Sequence, residues 1–461
     1  MTKRRNKMKK LILFTIAAIM AMSCFTAVYA STDDGAEDTA FEPTVFEVPT
    51  VPVTILKPTE AATEPATEPA TEAPTESATE PGDELSAPSS EPYKEEPVYN
   101  EHHNRICGKK QKDGSIKFIP TKGNAFATGN DLFYLLSGNK KRTIVLPKKK
   151  ISIQRVLMPG NNKTLIATGA TIYQTDKNKT LVVSPVDLKT KKQTPVKNLK
   201  IIGGKWRIKG YATRKTATST FRFLHSSNIT LKKCDIQTNY KSHAVELIAC
   251  KKVTVDGCKL IAVGKTKSDS LEEALQIDIA TTDTTDNILA KYLKGQTCGN
   301  ITVKNCVIKG SRGVCANRTD KWLKKHHKNI KLIGNTITGV TSEAVALHNT
   351  AGITVKNNKI YSKGSRINTT YSIGVNIASF GKTSAISKKS VTVTGNTIKG
   401  GRQAIQVVTY KNTTSGVYGS HKFGKVTIKN NKLYCKKGKG NCILTKNCKS
   451  VKKSGNKLYK W

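Results

Sequence analysis

The sequence is poor in what most enzymes use to build a dense core. Aromatic residues make up 6% of its 461 positions and hydrophobic residues 37%, which is low for tight globular packing but too much for a chain disordered throughout. The apolar run Leu11–Met22 is too short to cross a bilayer, and no later stretch could do so, which excludes a membrane bundle. The 11 cysteines contain no CxxC and no paired spacing, which argues against a zinc site. The most lopsided shortage is of acid. After Glu343 the remaining 118 residues contain no Asp or Glu while 23 Lys and Arg accumulate, so any carboxylate chemistry must lie upstream.

The charge divides the chain into three. Residues 1–30 hold six cations and no acid, followed by Val28-Tyr29-Ala30, the n-, h- and c-regions of a signal peptide cleaved after Ala30. Residues 31–100 hold 17 acids and two lysines among Thr, Pro and Ala, with Thr-Glu-Pro at 63–65, 67–69 and 79–81. That composition predicts an extended, solvated acidic linker. Residues 101–461 carry a net charge of +53. The expected product is a secreted monomer, extracellular or held at the cell wall by charge.

Within the body one phrase recurs. Ile229-Thr-Leu-Lys-Lys-Cys-Asp-Ile236, Val253-Thr-Val-Asp-Gly-Cys-Lys-Leu260 and Ile301-Thr-Val-Lys-Asn-Cys-Val-Ile308 are followed by copies at 330–337, 353–360, 391–398 and 426–433, and by a worn one ending at Leu458. Alternating apolar residues, a turn of Gly, Asn or Cys and a further apolar residue make a short strand, a bend and the start of another strand. The shortest spacings of 23 to 25 residues describe a unit that cannot bury its own face and must stack on its neighbours. Stacking turns the sixth position into a ladder: Cys234, Cys258, Cys306, Asn335, Asn358, Asn396, Asn431, Asn456. Its asparagines are expected to take the left-handed conformation at the bend and to bond to the amides above and below. Parallel Cβ vectors suit a disulfide poorly, so its cysteines are expected to be stacked free thiols.

These repeats resemble the right-handed parallel β-helix of the pectate-lyase-like superfamily, over roughly residues 120–461. Thr128–Leu136 resembles the short helix that caps such a stack, and Thr143-Ile-Val-Leu-Pro147 the first strand after it. The resemblance implies an all-β solenoid of about ten rungs with sugar chains bound on one outer face. It does not fix the chemistry, because this fold hosts lyases, hydrolases, epimerases and non-catalytic adhesins. The Asp-Asp pair and Gly-His-Gly turn of polygalacturonases are missing from the body, as are the tryptophan-rich and Asp-His motifs of familiar pectate lyases.

A second strand precedes each Ile-Thr-Val strand, often by seven residues, as Arg222, Glu246, Ala346 and Leu444 precede 229, 253, 353 and 451. In that register one outward column reads Arg222, Glu246, Gln276, Cys315, Ala346, Asn376, Gln406, and its neighbour Leu224, Ile248, Asp278, Asn317, His348, Ala378, Val408. Neither contains lysine, which distinguishes this face as a ligand groove. Six acids fall between 269 and 286: Asp269, Glu272, Glu273, Asp278, Asp283 and Asp286. They suit either a calcium site, with Asp278, Asp283 and Asp286 as ligands, or charge balance against neighbouring lysines. His326-His327 form a weaker metal candidate.

Elimination on a uronate chain needs a base, together with cations or amides that neutralise the sugar carboxylate. His348 or Arg318 is the candidate base, Asp278 and Glu246 orient it or hold calcium, and Arg222, Gln276, Asn317, Asn376 and Gln406 bind substrate. The expected function is therefore β-elimination of an acidic polysaccharide. Two alternatives remain: non-catalytic binding of anionic cell-wall polymers or host glycans, and inverting hydrolysis by Glu246 and Asp278, about 8 Å apart between backbones. Nucleic acid is excluded as a partner by the absence of a recognition module and by the compartment.

Overall fold

The computed structural model describes residues 94–461 apart from 188, 211–218, 239–241, 263–271, 286–287 and 365–368. The expected signal peptide and almost all of the acidic linker lie outside the described residues, as do Asp269 and Asp286. The first strand, Glu96–Tyr99, falls inside the last residues assigned to the linker and pairs antiparallel with Ile106–Lys110.

Each repeat contributes one strand to each of three sheets. A typical turn runs through Ser227–Lys232 in sheet 1, Asp235–Gln237 in sheet 2 and Val245–Ile248 in sheet 3. The sheets hold 14, 11 and 9 strands, and beyond the two antiparallel pairings that open sheet 1 every ladder is parallel. This is the right-handed parallel β-helix, with eleven rungs in sheet 2. Short strands leave only enough apolar surface for a shared core. Ile229 and Leu231, then Ile236, then Val245 and Leu247 point inward and are fully buried, and the same positions repeat up the stack. The helix α1, Ala125–Leu136, closes the first rung with Leu132, Leu135 and Leu136, and the Asn124 side chain accepts from the Ala127 N–H at 2.8 Å as its N-cap.

The sixth-position ladder is continuous. The Cys234 N–H donates to Cys258 Sγ (3.4 Å), the Cys258 N–H to Cys306 Sγ (3.3 Å), and the Cys306 N–H to Asn335 Oδ1 (2.9 Å). Asn335, Asn358, Asn396, Asn431 and Asn456 then follow one another at 2.8 to 3.1 Å. All ten described cysteines are free thiols. One expectation is corrected. The left-handed residue of the bend is the fifth position, not the sixth: Lys233, Gly257, Asn305, Gly334, Asn357, Gly395, Asn430 and Gly455 have φ between 54° and 67°. That backbone turn frees the sixth side chain to point into the stack.

A covered polar face on sheet 3

The strands of sheet 3 pair in the expected register, Arg222 with Glu246, Glu246 with Gln276, Gln276 with Cys315, Cys315 with Ala346, Ala346 with Asn376 and Asn376 with Gln406. Ile277 faces the core at 0% exposure, and Asp278 lies on the opposite face. That face is not open, however. Asp278 is 4% exposed, Glu246 5% and His348 7%. Sheet 3 is roofed by the long segments that leave it. Ala280, Ile288 and Leu293 pack on Leu224 and Ile248, and Leu323 packs on Ala378, Phe380 and Val408. The outward column at 224, 248, 378 and 408 is apolar, and the loops cover it for the same reason that a core forms.

Beneath the roof the polar groups are bound mainly to one another. Arg222 Nε meets Glu246 Oε2 at 2.9 Å, the Ser219 hydroxyl donates to the same oxygen at 2.9 Å, and an Arg222 Nη donates to the Thr284 carbonyl. Gln276 Nε2 donates to Asp278 Oδ1 at 2.8 Å. Burial and the nearby Glu246 charge push the Asp278 carboxyl up to about 7. Arg318 lies across the Phe380 ring with Cζ 4.1 Å from its centroid and Nη1 3.5 Å from His348 Nδ1; burial, then the Arg318 charge, hold His348 well below the ordinary histidine range. The Asn317 side chain accepts from the Arg318 N–H. Gln406 Nε2 donates to Asn376 Oδ1 (3.0 Å), and Asn376 Nδ2 donates to Glu343 Oε1 (3.3 Å).

Sequence reasoning missed a third polar column, two residues before the first core residue of each strand: His243, Glu273, Arg312 and Glu343. Arg312 Nη1 meets Glu273 Oε1 at 2.7 Å and Arg312 Nε meets Glu343 Oε2 at 2.8 Å. Burial would raise Glu343, but the Arg312 charge overrides it and holds the carboxyl at about 2. A signal for the column was present: each member stands before Ala or Gly and then Val or Leu, as in His243-Ala-Val, Glu273-Ala-Leu, Arg312-Gly-Val and Glu343-Ala-Val. The middle residue must be small. A Cβ at Gly313 would stand 2.3 Å from the Ile337 side chain.

Of the expected calcium ligands, Asp278 is buried and accepts from Gln276, Asp283 is exposed on the following loop, and Asp286 lies outside the described residues. Elsewhere, ligand atoms of His243, Glu272 and Glu273 lie within 4.8 Å of one another. That group fits calcium poorly. Glu273 already takes the Arg312 guanidinium and lies 3.6 Å from His243, and a hard cation wants six to eight oxygens, not an imidazole. His326 and His327 are also occupied. His327 Nε2 donates to the Asn317 carbonyl and its Nδ1 accepts from the Cys298 N–H, while the His326 ring bonds to the Lys324 carbonyl and the Ser379 hydroxyl.

No protein-family model matches the sequence, and no curated protein matches it. Solved structures do. The crystal structure of PfbA, a surface adhesin of Streptococcus pneumoniae, superposes with a TM-score of 0.51 at 16% identity, over 72% of this chain and 86% of that one. A second structure of the same adhesin gives 0.50 at 15% identity, over 72% and 93%. The tailspike of Escherichia coli bacteriophage HK620, in complex with a pentasaccharide, gives 0.41 at 13% identity, over 75% and 65%. The likeness to the adhesin is one of fold: this chain is a parallel β-helix.

Proposed function

We propose that the protein is a secreted binder of anionic polysaccharide, in a cell wall or on a host surface, that holds its polymer without cleaving it. The observation that carries this reading is where the charge is free. On sheet 3 Arg222 and Arg312 face carboxylates of the same chain, so neither is left to neutralise a uronate. Lysines such as Lys331, Lys356 and Lys432 stand exposed on sheets 1 and 2, and the last 118 residues offer no Asp or Glu to meet them. Electrostatic attraction to a polyanion needs no reacting group. β-Elimination is supported less well, because His348 is buried between Arg318 and Phe380. Affinity electrophoresis through gels containing polygalacturonate or a neutral polysaccharide tests the reading. Retardation by the acidic polymer alone, relieved by salt, supports it; equal mobility in both gels contradicts it.

A second reading rests on one specific observation. Asp278, with its carboxyl pushed up to about 7, stands one rung and two residues from the Arg222-bound Glu246, an acid beside a carboxylate as inverting hydrolases require. Its test is release of reducing ends that Asp278→Asn abolishes. Calcium at the 278–286 segment is a separate proposal, carried by its acids. A calcium-dependent rise in melting temperature that Asp283→Asn removes would support it, and identical curves with calcium and with chelator would end it.

A further inference from the structure

The last rungs of sheet 2 place an aromatic and cationic patch on the outer surface, remote in the fold from the roofed face of sheet 3. Tyr361, Lys399, Tyr434 and Tyr459 follow one another in a single outward column. Tyr434 and Tyr459 are stacked with centroids 4.7 Å apart, and Trp461 packs against Tyr361 at 5.1 Å. Lys399 Nζ stands over three rings at once, 5.6 Å from Tyr361, 5.1 Å from Tyr434 and 5.3 Å from Trp461, and Lys436 Nζ is 4.9 Å over Trp461. The neighbouring column continues the charge with Lys359, Lys432 and Lys457.

Among the described residues none of these lysines has an Asp or Glu partner, and the sequence has no Asp or Glu after Glu343. Ring quadrupoles hold the ammonium groups in place but leave their charge unneutralised. Resting on the reading of an anionic-glycan binder, we propose that this patch is a docking site for a carboxylated sugar chain, which would set its carboxylates against ammonium groups rung after rung. Nucleic acid suits the patch less. Binding a single strand relies on free aromatic faces for its bases, and here Tyr434 stacks on Tyr459 and Trp461 packs on Tyr361, with Lys399 Nζ over three of the rings.

The test is a tryptophan-fluorescence titration of the full chain with galacturonate oligosaccharides, read as the difference between the parent and Trp461→Phe. The expected result is a saturable change that depends on Trp461 and is weakened tenfold or more by Lys399→Gln combined with Lys436→Gln. These are surface substitutions, and unchanged melting temperatures verify that the variants fold. Retention on acidic polymer with no Trp461-dependent signal would overturn the placement while leaving the proposed function intact. Loss of both would overturn both. A single-stranded oligonucleotide that saturates the signal at lower concentration than the oligosaccharide would assign the patch to nucleic acid and end the proposal.

Discussion

In the sixth-position ladder a thiol takes the place of a carboxamide. Cys258 and Cys306 accept the N–H of the rung below at 3.4 and 3.3 Å, where Asn358 accepts at 2.8 Å. The hydrogen bond with Cys234 and burial hold the Cys258 thiol up at about 12. The ladder thiols should therefore resist a thiol reagent in the native protein and react only on unfolding, which a disulfide-exchange dye reads directly. Asn358→Ala leaves a buried N–H without its acceptor and should cost about 1–3 kcal/mol, whereas Asn358→Cys should cost measurably less in the same denaturant titration. Asp278 makes the opposite case. Its folded value of about 7 lies above the ordinary 3.8, so the folded state binds the extra proton between those values and this contribution to stability is lost as pH rises through 7. Asp278→Asn should therefore raise the melting temperature more at pH 8 than at pH 5. A larger gain at pH 5 would contradict the burial assigned to this carboxyl.

At the scale of the element, the strands and their register were legible because a period of two residues and a repeated phrase leave little freedom. Glu246 follows from counting seven residues back from Val253, whereas Gln276, Asn376 and Gln406, 15 to 25 residues before the next copy, follow from the apolar alternation of their own strands. What covers them was not legible. The segment carrying Ala280, Ile288 and Leu293 lies outside the repeat, and an isolated apolar residue in a loop does not announce which column it will close over. The Arg312 column was missed for a related reason: it lies at the entry to each strand, where a strand pattern has not yet begun. Arg312 joins two buried carboxylates, so Arg312→Met should leave Glu273 and Glu343 facing each other and destabilise the fold by about 3–5 kcal/mol. The loss should shrink as pH falls toward 2, where Glu343 protonates. Urea titrations of parent and variant across pH check both the size and the direction.

For the molecule as a whole, residues 101–461 carry a net charge of +53, while the Lys-free columns of sheet 3 lie mostly buried beneath their loops. Attraction to a polyanion through exposed lysines should weaken steeply between low and high salt, because the field of each charge is screened within about 8 Å at physiological ionic strength. The claim that this β-helix binds and does not cut is tested most directly by a time course of the mature body with polygalacturonate and other uronate polymers. Ultraviolet absorbance of unsaturated ends, reducing-end release and retention on the same polymers should be followed together. Salt-sensitive retention with neither kind of new end is the predicted result. New ends that accumulate with the parent protein and vanish with Asp278→Asn would contradict it.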